Sequence, residues 1–238
     1  MDWQTIAASL FPQGHSITEQ ACFLSGHGQL DGQQIAVIGT TGHTPIGVEI
    51  ALAQAQAILR TVREHPGMPI LMLIDTQGQR LRHRDEMLGI NSYMAHLGKC
   101  VDLARRQGHH IIGLVYDQAL SGGFITSGLM ADACYALPDA TIRVMGLPAM
   151  ARITKVPEER LLELAQSNPV FAPGPENYQR MGGVEALWQG DLAAQLRAAL
   201  AQPLTGDTRS ALGLERGGRR WAQAVINAVL HGGPVQAG

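Results

Sequence analysis

The sequence predicts an α/β protein built on a mostly parallel, buried sheet, and three observations carry that expectation. Apolar runs starting near Gln34, Ile70 and Ile111 recur roughly every 35 to 40 residues. Each is followed by a loop and then by a segment with apolar residues at helical spacing, the rhythm of parallel strands joined by helical crossovers. The chain has 238 residues, 45% of them apolar and 16% charged, which is enough to bury one good core without a second domain.

Residues 1–24 mix Phe11, Pro12 and Gly14 with polar residues and show no clear period, so they read as an arm packed on the domain or on a partner. The stretch Gly26-His27-Gly28-Gln29-Leu30-Asp31-Gly32 tempts a dinucleotide-loop reading. That reading fails, because Asp31 stands where the third glycine belongs and a strand-like run, Gln34 to Ile38, follows instead of a helix. Asp31-Gly32 reads better as a hairpin turn. Val48 to Val62 is rich in Ala, Leu and Gln at helical spacing and is stopped by His65-Pro66-Gly67. Met68 to Ile74 is a second buried strand, ending at Asp75-Thr76-Gln77-Gly78-Gln79. The charged run Arg80 to Glu86 leads into a helix with the stripe Met87, Ile90, Met94, Leu97, Val101 and Ala104, closed by Gly108.

The third strand, Ile111 to Tyr116, precedes Ser121-Gly122-Gly123-Phe124-Ile125-Thr126-Ser127-Gly128, read as a turn opening a helix through Met130. Short strands at Ala133–Leu137 and Thr141–Gly146 flank the turn Pro138-Asp139-Ala140. A helix runs from Pro157 to Gln166, with proline at its first position and acidic residues in its first turn. Asn168 to Gly183 is loop-rich, with Pro169, Pro173 and Pro175. Helices are expected from Asp191 to Ala201 and from Arg219 to Leu230, followed by a flexible Gly-Gly-Pro tail. The expected division is an arm at 1–24, one domain at 25–190 and a helical extension at 191–238.

Composition excludes several classes of function. A formal charge of −2 without a broad basic stripe argues against nucleic acid as a partner. Cys22, Cys100 and Cys134 lack zinc or redox spacing and suit buried, reduced thiols of a cytoplasmic protein. No apolar run approaches the ~20 residues that span a bilayer, and Met1-Asp2-Trp3-Gln4-Thr5 has no basic leader region, so neither membrane insertion nor export is expected. No His-Glu-x-x-His or carboxylate cluster suggests a metal.

Ligands of parallel sheets sit beyond the carboxyl ends of the strands, where the 75–79 and 121–123 loops fall. A glycine pair at a strand-to-helix turn leaves main-chain N–H groups open to an incoming oxygen, as an oxyanion hole requires. The plainer reading is a turn that needs glycine only for packing. His109 and His110 precede the third strand, at the remote end, and read as structural. Ser121 does not lie in a Gly-x-Ser-x-Gly elbow, so a hydrolase nucleophile is not expected.

From Gly26 to about Met150 the chain resembles the carboxyltransferase branch of the crotonase-like superfamily. The resemblance lies in Gly26 to Gly32, the Asp75-Thr76-Gln77-Gly78-Gln79 loop, Ser121-Gly122-Gly123-Phe124 and Val144-Met145-Gly146. Within that branch, Asp75 to Arg82 and Leu120 to Phe124 are similar to the gamma-subunit family of biotin-independent malonate decarboxylase, and the similarity extends into the C-terminal third. This resemblance implies a crotonase-like (ClpP/crotonase) spiral of repeated β-β-α units, carboxyltransferase type.

It also implies a heterodimer with a beta subunit, the active site lying between the two. The substrate would be a malonyl thioester on the phosphoribosyl-dephospho-CoA arm of an acyl carrier protein, converted to acetyl thioester and CO2, with no biotin and no cofactor bound directly. An ACP-transferase alpha subunit would complete the complex, and this chain alone would be inactive. The resemblance gives the amides of Gly122, Gly123 and Phe124 as first oxyanion donors and Gly78 and Gln79 as the second set. Ser121, Gln77, Tyr93 or water could protonate the carbanion. Gln77, Arg80, Arg82 and Gly146 would contact substrate. For Arg80, Arg82 and Arg84, binding the phosphates of the carrier arm or the carrier's acidic surface is favoured over clamping the carboxylate, because a clamp would stabilise the ground state. A solvated face explains them equally well. The alternatives are a biotin-dependent carboxyltransferase subunit of the same fold and a non-catalytic scaffold for the partner.

Overall fold

Alternating apolar residues on adjacent strands build a seven-stranded sheet in the computed structural model, which describes residues 2–167, 174–204, 206–218 and 220–233. In chain order the first elements are α1 (Trp3–Leu10), β1 (Thr18–Gln20), β2 (Phe23–Leu30), β3 (Gln33–Thr40), α2 (Val48–Glu64) and β4 (Ile70–Thr76). Next come α3 (His83–Met87), α4 (Ile90–Arg106), β5 (Ile111–Leu120), α5 (Ser121–Ile125), a 3₁₀ turn (Gly128–Met130), β6 (Ala133–Ala136) and β7 (Thr141–Arg143). The last are α6 (Leu147–Thr154), α7 (Glu158–Ser167), α8 (Pro175–Arg180), α9 (Leu192–Leu200), α10 (Arg209–Glu215) and α11 (Arg220–His231).

Strands pair in the order β1-β2-β3-β4-β5-β6, with β7 also on β5. The hairpin expected at Asp31-Gly32 is present, since β2 and β3 run antiparallel with Leu30 opposite Gln33. β3, β4, β5 and β6 are parallel. Every residue of β4 is buried, which explains its unbroken apolar run. Ile70 and Met72 face α2 and α4 through Ile58, Leu97 and Val101, while Leu71 and Leu73 face α1 and α9. Each such side chain contributes about 1.5–3 kcal/mol on burial.

The structure departs from the sequence reading at several places, although residues 1–24 do pack on the domain. Residues 1–24 contain α1, capped by the Asp2 carboxylate on the Thr5 amide at 2.7 Å, and Trp3, Ile6, Ala7 and Leu10 join the main core. That i, i+3, i+4, i+7 stripe was present in the sequence but is only one helix-turn pair long. The boundary drawn at 191 also cuts this core, because Leu192, Leu196 and Ala199 of α9 belong to it. Met87 is not on the α4 stripe: Gly89, at φ +75°, separates α3 from α4 and leaves Met87 73% exposed. Pro169, Pro173, Arg219 and the tail from Pro234 lie outside the described residues.

The helix expected through Met130 stops at Ile125. Thr126 N–H still bonds the Gly122 carbonyl at 3.0 Å, but beyond it the backbone changes to shorter i to i−3 bonds, Ser127 N–H to the Phe124 carbonyl at 3.3 Å and Met130 N–H to the Ser127 carbonyl at 3.2 Å, while the Thr126 and Ser127 hydroxyls donate to the Gly122 and Gly123 carbonyls at 2.8 and 2.7 Å. α6 and α10 lie where no helix was expected.

Candidate active site

β5 delivers the chain to a sharp elbow. Leu120 is extended, Ser121 turns to φ +53°, and the helical turn α5 begins at once. A residue with a Cβ in the left-handed region costs about 1–2 kcal/mol, so neighbouring structure must hold it there. The neighbour is the loop after β4. Gly78, at φ +98°, sits so close that a Cβ on it would lie 2.8 Å from Ser121 Cβ. A Cβ on Gly123 would lie 3.1 Å from Gly78 Cα and from Ile46 Cδ1, and one on Gly122 would lie 2.7 Å from Gln79 Oε1. Glycine is therefore demanded at Gly78 by its dihedral and by close approach; a Cβ on Gly123 would press on the Gly78 backbone, and one on Gly122 would meet only the end of the Gln79 side chain.

Buried Thr76 fixes the β4 loop. Its hydroxyl donates to the Thr44 carbonyl at 2.7 Å and accepts the Gly78 amide at 3.0 Å. The Gly78 amide is thus engaged within its own loop. Ile46 N–H donates to the Gly78 carbonyl and Arg80 N–H to the Ile46 carbonyl, each at 2.8 Å. Because groups alternate in extended backbone, the Gln79 amide faces away from Ile46, and the Gln79 side chain reaches Gly122. The first amides of α5 have no preceding helical carbonyl to bond. Gln79, Gly122 and Gly123 are therefore brought together, while the Gly78 amide is bonded to Thr76.

The other expected residues scatter around this elbow. The Phe124 ring is buried, edge-on to Tyr178 at 6.0 Å between centroids, and anchors α5. Gln77 is exposed, and Ser121 is half-buried. Arg82 Nε donates to buried Asp85 at 2.6 Å, and Arg84 pairs with Glu49. Arg80 belongs to none of the ion pairs among the described residues, while its side chain borders Gly47. Asp85 in turn accepts the Val48 amide at 3.1 Å, capping α2, so Arg82 supports a helix start. Gly146 precedes α6, three residues past the Leu120–Arg143 pair of β5 and β7, with open space where a Cβ would be. Tyr93 is half-buried against the cluster of Ile46 and Ile90.

A further group at this end escaped the sequence reading. Between the pairs Ile74–Val115 and Thr76–Ala119 the β4–β5 register slips, so that Tyr116, Asp117 and Gln118 bulge opposite Asp75. His43, at φ +49°, reaches both carboxylates: its Nε2 lies 3.0 Å from Asp117 Oδ1 and 3.5 Å from Asp75 Oδ1. Burial pushes the Asp75 carboxyl above its ordinary range; the His43 backbone amide and imidazole pull it down, the Asp117 charge pushes it up again, and the Gln118 amide opposes that. These residues are 32 and 42 apart in sequence, so no spacing motif could show them. At the opposite end of the sheet, His109 Nδ1 bonds the Met68 carbonyl at 2.8 Å, a structural contact. Cys100 and Cys134 are buried, the latter with its thiol pushed up to about 12, but Cys22 is only half-buried. Among the described residues no helix is long and apolar enough to cross a membrane.

Comparison with known proteins places this geometry. A family model described as "Malonate decarboxylase gamma subunit" matches residues 41–232. The malonyl-S-ACP:biotin-protein carboxyltransferase MADD of Malonomonas rubra is 35% identical over 196 residues, covering 73% of this chain and 67% of that protein. The crystal structure of the Pseudomonas malonate decarboxylase MdcD-MdcE hetero-dimer contains a chain that superposes with a TM-score of 0.75 at 27% identity, over 97% of this chain and 96% of its own. The transcarboxylase 12S core superposes at 0.72 with 18% identity over 84% of this chain and 41% of its own, a likeness of fold. The mixed sheet is thus of the crotonase-like carboxyltransferase type.

Proposed function

The chain belongs to the malonate decarboxylase gamma subunit family, and from that premise we propose that it works with a beta subunit to decarboxylate a malonyl thioester carried on an acyl carrier protein. The observation that carries the reading is the contact of two glycine-bearing loops, 78–79 and 121–123, at a strained strand-to-helix elbow.

Loss of CO2 from a malonyl thioester breaks the C2–carboxyl bond and moves its electron pair onto the thioester as an enolate. The barrier falls when donors already face the oxygen on which charge develops. In our reading the Gln79 amide and the Gly122 and Gly123 amides are those donors, and the Phe124 amide lies next in the turn. One such donor contributes about 3 kcal/mol, roughly a factor of 100 in rate. Gly78, its own amide bonded to Thr76, lets the loops approach. Ser121 and Gln77 border the same oxygen site and are the proton-delivering candidates of this chain. Arg80 is the cation left to meet the phosphates of the carrier arm, with Gly146 at the rim. Arg82, bound to Asp85, gives up that role in our reading.

The 35% likeness to a protein named as a malonyl-S-ACP:biotin-protein carboxyltransferase supports a second reading, in which the same carbon–carbon bond breaks but the carboxyl group passes to biotin. The two part on one assay. The chain reconstituted with its beta subunit is given malonyl-CoA, and acetyl thioester and CO2 are measured with and without avidin. Avidin-insensitive CO2 release is expected; release that requires biotinylated protein would overturn the proposal.

A further inference from the structure

We propose that His43, Asp75 and Asp117 form a binding site for a divalent transition-metal ion of the manganese-to-zinc series, a site separate from the oxyanion elbow and independent of the decarboxylation reading. Its three donors, His43 Nε2 and one carboxylate oxygen each from Asp75 and Asp117, all lie within 4.8 Å of one another.

Ligand geometry favours the assignment. With metal–ligand bonds of about 2.1 Å, adjacent donors stand about 3.0 Å apart around an octahedral ion and about 3.4 Å apart around a tetrahedral one. The observed separations from Nε2 are 3.0 and 3.5 Å. The shorter is also a His43–Asp117 hydrogen bond, which an ion would replace, and the carboxylate–carboxylate edge is no longer than 4.8 Å.

Asp75 supplies an independent sign. Its side chain is only 4% exposed, its Oδ2 accepts the His43 amide at 2.8 Å, and its Oδ1 is buried without a hydrogen-bond partner while facing the His43 ring. An orphaned carboxylate oxygen is expensive to bury, and a cation satisfies it. One imidazole and two carboxylates form a mixed nitrogen and oxygen set, which suits manganese, iron or zinc better than the all-oxygen shells of calcium and magnesium. His43 is half-exposed, so an ion has a path in and keeps positions for water.

The backbone around the cluster is prepared for such a role. His43 holds its left-handed conformation in the 41–46 loop, and the β4–β5 bulge turns Asp117 toward it. The same loop is tied to the oxyanion loop through the Thr44 carbonyl and the Thr76 hydroxyl. An ion bridging His43, Asp75 and Asp117 would therefore clamp the ends of β3, β4 and β5 beside the elbow.

The test uses the full chain, stripped with a chelator and titrated with Zn2+ by calorimetry and with Co2+ by visible absorption. One equivalent is expected to bind with micromolar affinity, with cobalt d–d bands reporting imidazole and carboxylate ligation. His43→Ala and Asp75→Asn are each expected to weaken that equivalent by roughly 100-fold. Should Asp75→Asn fail to fold, Asp117→Asn, nearer the surface, tests the same set. Absence of an equivalent tighter than millimolar, or His43→Ala binding as tightly as the unaltered chain, overturns the proposal.

Discussion

The two ends of the central sheet are built by different rules. At the amino end, glycines serve the dihedral alone: Gly32, Gly67 and Gly108 have positive φ, and a Cβ on any of them would meet nothing within 4 Å. At the carboxyl end, Gly78, Gly122 and Gly123 are crowded by one another's loops at 2.7 to 3.1 Å. Charges differ in the same way. At the amino end Asp132 is satisfied twice, by Arg105 Nε at 2.7 Å and the Ile111 amide at 2.9 Å, whereas at the carboxyl end Asp75 keeps a buried oxygen without a partner. Ser121 and His43 add left-handed backbone there. The lesson is that close contact between loops is concentrated where the strands point, whereas a buried polar atom without a hydrogen-bond partner occurs at both ends, Asp75 Oδ1 at one and His109 Nε2 at the other.

Four substitutions sharpen or break this contrast. Gly123→Ala is expected to have the largest effect. Its methyl group would push against Gly78 and Ile46, part the two loops and lower turnover of the assembled complex by about 100-fold. Unchanged turnover would show that the crowding serves packing only.

The paired variants Asp75→Asn and Asp132→Asn should move stability in opposite directions at neutral pH in the metal-free chain. Asp75 has a folded pKa above its unfolded one. The stability it contributes is therefore complete below the unfolded value and is lost as pH rises through the folded value. Asn at 75 escapes that loss and raises the melting temperature at pH 7–8 by a few degrees, about 1 kcal/mol, with the gain vanishing near pH 4. Asn at 132 weakens a partly buried ion pair and lowers the melting temperature by about as much. Melting curves of both proteins across pH decide the matter, and equal signs would remove the contrast.

Gly108→Ala, at the amino end, is the smallest. A Cβ at φ +84° costs about 1 kcal/mol, some 2–4 °C in a chain of this size, and turnover should be unaffected. A loss of activity there would show that the two ends are coupled.

Much of this was legible in the chain itself. The runs at 34–38, 70–74 and 111–116 announced buried parallel strands because a strand covered on both faces has no polar side to show. Asp31-Gly32 announced the hairpin because glycine fits its left-handed backbone, and Gly122-Gly123 announced the elbow because the loop after β4 comes close to both. The stop of α5 at Ile125 was harder to see, since it shows only in the change of backbone bonding, Ser127 N–H turning to the Phe124 carbonyl. The arginine run looked free to bind a ligand until Glu49 and Asp85, from a different helix and the following turn, proved to hold two of its members.

By itself the sequence determined the strands β3, β4 and β5, the helices α2 and α4 between them and the site of the sharp bend, because hydrophobic period and turn residues act over a few neighbouring positions. Only the tertiary structure decided that the Gly78 amide is spent on Thr76 and that His43, Asp75 and Asp117 converge. Those depend on a register slip between β4 and β5 and on hydrogen bonds across some 30 to 75 residues, distances over which the linear chain carries no spacing signal.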